Sequence, residues 1–192
     1  ALAAPGTRFD AAGYIHSNPE RYRDGEGWTT TFSMDDTQAA GYVLDPRGMG
    51  VDKQVTLSLA DWECVLQKDD PVLQMHIPAG GKMTPEACRE SLLEAREFFR
   101  TYCPEEKVRA VTCASWIFSN LLEEILPEDA NLNHFLREIY LEPRSASGFD
   151  GLWFVFLERG AIDPATARRD TSLQRRILSF LEGGGRWRHG GM

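Results

Sequence analysis

The residues able to do chemistry gather in two short stretches. HIPAGGK, residues 76–82, combines an imidazole, a glycine pair and a lysine. VTCASWIF, residues 111–118, is almost wholly apolar yet carries a thiol and a hydroxyl two residues apart. Each stretch has two readings. The glycine loop is either a cradle, whose amides meet an anion such as a phosphate with Lys82 adding charge, or a turn that simply needs free backbone. It has neither P-loop nor GxGxxG spacing. His76 is either a base near neutrality at a strand end, where a crevice would open, or a surface histidine. Cys113 is either a reactive thiol or core filling, the common fate of cysteines. A Cys113–His76 nucleophilic pair requires the ring within about 3 Å of the sulfur, and no spacing supplies an acidic orienting group. His16, His134 and His189 are scattered and match no ligand pattern, so no metal centre is expected.

The bulk of the chain narrows the classes. With 192 residues and 42% hydrophobic content it has material for one large domain with a full core. A net charge of -8 argues against a broad nucleic-acid footprint, which wants a basic surface. Four irregularly spaced cysteines, Cys64, Cys88, Cys103 and Cys113, read as free thiols in a reducing, cytoplasmic compartment. No run approaches the roughly 20 apolar residues of a membrane span, and the first residues lack the pattern of a signal peptide. Starting without methionine and ending abruptly, the chain reads as a fragment. Residues 1–27 read as an irregular extension with one short helix near 9–16, as at the end of a missing domain.

The elements that must hold the two stretches follow from pattern. Residues 28–34 and 39–44 are β-branched or aromatic and predict strands. Residues 51–59 alternate, with Lys53 the exception on the apolar face. DPRG at 45–48 predicts a turn. Residues 72–77 predict a strand that brings His76 to its end. Thr84, Pro85 and Glu86 then form a helix start, and Cys88, Leu92, Ala95, Phe99 and Tyr102 make one apolar stripe. With a strand over 108–114, this strand–loop–helix–strand order predicts two parallel strands with the helix over one face. Helices are expected from about 116 or 119 to 126, over 131–139, from 163–164 and over 172–181. A short strand is expected within 140–143 and another at the end of the chain. GLWFVFLE, 151–158, is expected to be buried, preferably as helix. Trp116 and Trp153 read as core, and Trp187, between Arg186 and Arg188, as able to stack on a ligand or partner. The whole predicts an α+β or α/β sandwich with one sheet and helices on its faces.

HIPAGGKMTPEACRESLLEAREFF, then VTCASWIF, then LLEEILPEDANLNHFLREIYL, resembles the C-terminal domain of a bacterial GNAT-like acyltransferase family over roughly residues 38–190. The resemblance rests on His76-Ile77-Pro78, Phe98-Phe99 and Cys113-x-Ser115-Trp116, and less closely on Asn131 with Phe135. It departs from the family's pattern at Ala114, where the motif usually has glutamate, and at Ala130, where it has serine. The loop also lacks the usual pyrophosphate-binding pattern of the wider fold. The resemblance implies a GNAT-like acyl-CoA N-acyltransferase fold over 28–192, a mixed central sheet with helices on both faces, and acetyl-CoA or another acyl-CoA as cosubstrate without a metal. It implies that Ile77, Ala79, Gly80, Gly81, Lys82, Met83, Thr84 and Asn120 border the cosubstrate. Cys113, Ser115 or Tyr140 would protonate the departing thiolate, and His76 or Glu63 would receive the proton of an amine acceptor. Partners on this reading are that small-molecule amine and a preceding domain, not nucleic acid or membrane. The alternative, favoured by Ala114, is an inactive GNAT-like domain that captures an acyl or CoA ligand or a partner domain.

Overall fold

The computed structural model describes residues 1–22, 27–78, 80–81 and 83–192. The amino-terminal part is built on turns held by aspartates. β3 (Phe32–Met34), β4 (Gln38–Leu44) and β5 (Gly50–Ser58) form an antiparallel meander. Asp35 Oδ1 accepts from the Thr37 and Gln38 amides at 2.7 and 2.9 Å, closing the first turn. Asp45 Oδ1 does the same for Arg47 and Met49 at 2.8 and 3.0 Å in the second. Along β5, Val51, Val55 and Leu57 are half-buried as the alternation predicts, while Lys53 on the same face stays exposed.

Two expectations fail here for local reasons. The single strand over 28–34 is two: β2 (Trp28–Thr29) pairs with β1 (Arg8–Phe9), and β3 belongs to the meander. Between them Thr30 is buried, its hydroxyl donating to Ala4 O at 2.6 Å and accepting from the Thr7 amide at 3.0 Å. The helix expected near 9–16 is β1 followed by a tight turn. Asp10 Oδ1 accepts from the Ala12 and Tyr14 amides, both at 2.9 Å, which competes with helical pairing. Gly13 completes that turn at φ +85°, and a Cβ there would lie 2.2 Å from Gly50 O, so only glycine fits.

The second part holds the core. β6 (Val72–Gln74) runs parallel to β7 (Ala110–Thr112), joined by α1 (Pro85–Tyr102), in the predicted order. Thr84 Oγ1 caps α1 by accepting from the Ala87 amide at 3.3 Å. The helix buries no residue completely; Cys88, Leu92, Ala95 and Phe99 are half-buried, and Tyr102 lies in solvent. Beyond β7 come β8 (Ala114–Ser115), a 3-10 turn over Trp116–Phe118, α2 (Leu122–Ile125), α3 (Asn131–Glu138) and β9 (Glu142–Pro143). α4 (Trp153–Phe156), α5 (Ser172–Glu182) and β10 (Gly190–Gly191) complete the chain. β10 lies between β8 and β9, antiparallel to both. The result is a mixed α/β fold with sheets flanked by helices.

Phe118, Leu122, Leu136, Leu152, Ile177 and Trp187 are sealed at the centre of one apolar cluster. Each such burial stabilises by about 1.5–3 kcal/mol before entropy is counted. α5 is fixed by a capping box between Thr171 and Gln174, and the Gln174 amide also donates to Val155 O at 2.9 Å, locking α5 to α4. Three further expectations are corrected. In 151–158 only Leu152 and Phe156 are buried; Trp153, Phe154 and Leu157 are exposed, because the single helical turn shows one face inward. Asp163 initiates a turn, not a helix: its Oδ1 accepts from the Ala165 amide at 3.0 Å. Trp187 does not present itself for stacking but is fully buried, donating from its indole nitrogen to Asp150 O at 3.0 Å. Leu136→Ala is expected to lower unfolding free energy by about 2–5 kcal/mol, whereas exposed Leu93→Ala changes it by about 0.5 kcal/mol or less, both read by urea titration.

Candidate functional site

The course 110–115 changes partner midway. The Met75 amide donates to Thr112 O at 2.8 Å, the last bond of the parallel pair, whereas Cys113 exchanges both its backbone bonds with Met192, at 3.1 and 2.9 Å. Successive residues of a strand direct their polar groups to opposite edges. β6 and the 190–192 segment therefore flank opposite edges of one continuous course, giving the order β6, β7–β8, β10, β9. Past Met75 the chain leaves the sheet as the exposed loop of His76, Pro78, Gly80 and Gly81. The ladder between the parallel strands ends there, and this break in pairing, the notch, lies at their carboxyl-terminal ends, the place where an open α/β sheet receives a ligand.

Register decides which side chains share that notch. Gln74 pairs with Thr112, so Gln74 and Thr112 point to one face, with His76 and Ala114 two residues further along. Met75, Ile77, Cys113 and Ser115 point to the other. Burial agrees: His76 and Ala114 are exposed, while Met75, Ile77, Met83 and Cys88 pack against the cluster that contains Cys113. Ala114, where the related motif has glutamate, therefore stands on the open face. His76 is exposed and Cys113 buried, and no hydrogen bond joins them among the described residues, so they form no nucleophilic pair. Burial pushes the Cys113 thiol above its ordinary value, partly offset by Arg144, so the sulfur stays protonated near neutrality. Ser115 is half-buried at the end of the same face, just before the 3-10 turn.

The loop meets the helix start as its composition implies. Gly80 adopts φ +79° in open space, and the Gly81 amide donates to Pro78 O at 3.3 Å. Thr84 is the cap, and Met83 and Ile77 are half-buried behind it. Ala79 and Lys82 lie outside the described residues. Glu86 in the first turn is exposed and opposes an approaching anion, while the amide ends of an 18-residue helix favour one.

The other candidates have different surroundings. The Tyr140 hydroxyl donates to Leu44 O at 2.5 Å, and burial raises its pKa. It precedes β9, two strands from the Cys113 course. Asn120 uses its amide on Arg47 O at 3.2 Å and fixes the second turn of the meander. Glu63 is exposed in the connection after β5 and makes no ion pair or hydrogen bond through its side chain among the described residues. Sequence reasoning also passed over a cavity of about 320 Å³ lined by residues of the 10–21 segment, Ala146 and Arg186–Arg188. Its residues are distant in sequence and adjacent in space because His16 bridges to Ala146. All four cysteines are free thiols, and among the described residues no cluster of His, Cys, Asp and Glu is arranged to hold a metal.

Residues 18–191 match the profile of a family described as a GNAT-like C-terminal domain. Among solved structures, an acyltransferase in complex with CoA and 10C-teicoplanin is 32% identical over 65% of this chain and 41% of its own, with a TM-score of 0.58. An acyltransferase in complex with decanoyl-CoA and teicoplanin is 33% identical over the same shares, at 0.56. An acyltransferase mutant bound to octanoyl-CoA is 26% identical over 83% of this chain and 45% of its own, at 0.58. The chain thus spans less than half the length of the structures it matches. No curated protein matches it.

Cys64 is exposed and Cys113 buried, so a maleimide is expected to label Cys64 first and Cys113 last at neutral pH, by mass spectrometry of timed digests. The sign of the pH effect follows from the raised thiol pKa. The folded state binds the proton more tightly, so the stabilisation is complete below the ordinary value of 9.0 and is lost as pH rises through the higher folded value. Wild-type stability should therefore fall more steeply above pH 9.0 than that of Cys113→Ala.

Proposed function

The chain belongs to the GNAT-like C-terminal domain family, and from that membership we propose that it is the acyl-CoA-binding part of an acyl-CoA-dependent N-acyltransferase. The observation that carries the reading is the break in pairing where β6 parts from the 110–115 course, followed in the chain by the glycine loop and the amide end of α1. In this reading Gly80 and Gly81 let the backbone approach a pyrophosphate, Lys82 adds charge, and Ile77, Ala79, Met83 and Thr84 line its path. The thioester enters between the strands. An amine lone pair attacks the carbonyl carbon, the C–N bond forms, the C–S bond breaks, and the proton lost by the nitrogen ends on the sulfur of CoA. Holding the two reactants in line is the main contribution of such a fold.

Register sorts the proton carriers. His76, on the open face, receives the amine proton, directly or through a water in the space that Ala114 leaves by having no carboxylate. Ser115 offers its hydroxyl to the departing thiolate. Cys113 acts by packing, and Tyr140 and Asn120 by fastening the meander to the core. The similar structures hold octanoyl- and decanoyl-CoA, which supports an acyl chain longer than acetyl. Because the match covers less than half of those proteins, a further domain that shares the acceptor is part of the reading, as is a reducing cytoplasmic setting.

Calorimetric titration with CoA and with acyl-CoA from two to ten carbons tests the binding step. Saturable heat, stronger with the longer chains, is expected; no heat at millimolar ligand rejects the proposal. In a thiol-release assay over a panel of amines, Ser115→Ala should lower kcat about tenfold or more while leaving CoA affinity unchanged, the size of one lost hydrogen bond to a developing charge. Binding without thiol release from any amine would favour the capture domain, for which Ala114 speaks.

A further inference from the structure

The cavity of about 320 Å³ is lined by three arginines, Arg21, Arg186 and Arg188, together with His16 and Tyr14. That is an unusual gathering of cations on a chain of net charge -8. One carboxylate, Asp10, faces them, and it is already engaged. Its Oδ2 meets His16 Nε2 at 2.6 Å, and its Oδ1 accepts from the Ala12 and Tyr14 amides. Arg188 is half-buried, with its guanidinium carbon 3.4 Å from the centroid of the Tyr14 ring. Among the described residues it makes no ion pair and no hydrogen bond, and its Nε is buried without a partner. The cavity thus has spent acceptors and unspent donors. Asp10 and Glu124 act on the Arg188 guanidinium from a distance without pairing with it among the described residues, and an orphaned buried donor calls for the group that satisfies it. The planar fork of arginine fits a carboxylate through two parallel bonds, and the volume lies at the lower end of the roughly 300–1,000 Å³ of small-molecule sites.

Topology places this cavity usefully. β10 runs antiparallel to β8 with Gly190 opposite Ser115, so the residues just before β10, Arg186–Arg188, lie at the carboxyl-terminal end of the parallel strands. β6 leaves its ladder with β7 at that same end. We propose that the cavity binds the carboxylate of a small molecule and, resting on the transferase reading above, that this molecule is the amine acceptor, a compound carrying both a free amine and a carboxylate.

The test titrates the whole chain by calorimetry with phenylacetate and phenylalanine, with phenylacetamide and phenylalaninamide as uncharged-end controls, and with inorganic phosphate. Saturable binding of the two carboxylates, absent for the amides and weakened about tenfold or more in Arg188→Gln, is expected. The exposed substitutions Arg21→Gln and Arg186→Gln, which leave the core untouched, should each weaken it about threefold and cover the case in which Arg188→Gln fails to fold. No saturation up to about 50 mM of any carboxylate, or binding insensitive to all three substitutions, overturns the site. Preference for phosphate over carboxylate also overturns it, by assigning the cavity to another chemistry. The CoA titration keeps the two readings apart. Bound carboxylate without bound CoA retains the site and removes the acceptor role; bound CoA without carboxylate removes the site and leaves the transferase.

Discussion

The double hydrogen bond between the backbones of Cys113 and Met192 decides the shape of everything near it. Before that residue the 110–115 course is tied to β6; after it, to β10. A strand can change neighbours in this way because its polar groups alternate between two edges, so gaining one partner does not require losing the other. What the arrangement leaves is a stretch of β6 without a continued ladder, and the chain spends it on a glycine loop and a helix start. The notch is a product of pairing, and the side chains decorate it.

Packing then divides the two sides of the notch. Cys113, Met75 and Ile77 face a core closed by α3, α4 and α5, while His76 and Ala114 face outward. A buried thiol held protonated and an exposed imidazole have no means of acting as one unit. The same division gives Ala114 its meaning. Ala114 is exposed, so the carboxylate it lacks bears on the chemistry of the open face and not on the core.

Much of this was legible in the sequence, and the reasons differ by element. α1 announced both its ends because a threonine cap, a proline and an apolar stripe are local signals. The meander was legible through its aspartate turns and the alternation of β5. The parallel pairing followed from element order. What stayed hidden depends on contacts distant in sequence. Thr30 breaks a β-rich run only because Ala4 and Thr7 reach it. Trp187 looks like an exposed aromatic between two arginines until Asp150 O receives its indole proton. The cationic cavity joins residues near 10–21 to residues near 186–188, and no periodicity links them.

β10 is drawn from residues 190 and 191 yet occupies an interior position, between strands that begin at 114 and 142. On the ribosome, β8 and β9 must both wait for a partner that is made long after them. Until residues 190–192 emerge, Phe118 has no finished wall to lie against, and closing the sheet draws together remote parts of the polypeptide, a slow step. During synthesis this domain should therefore stay partly assembled until residues 190–192 have been made.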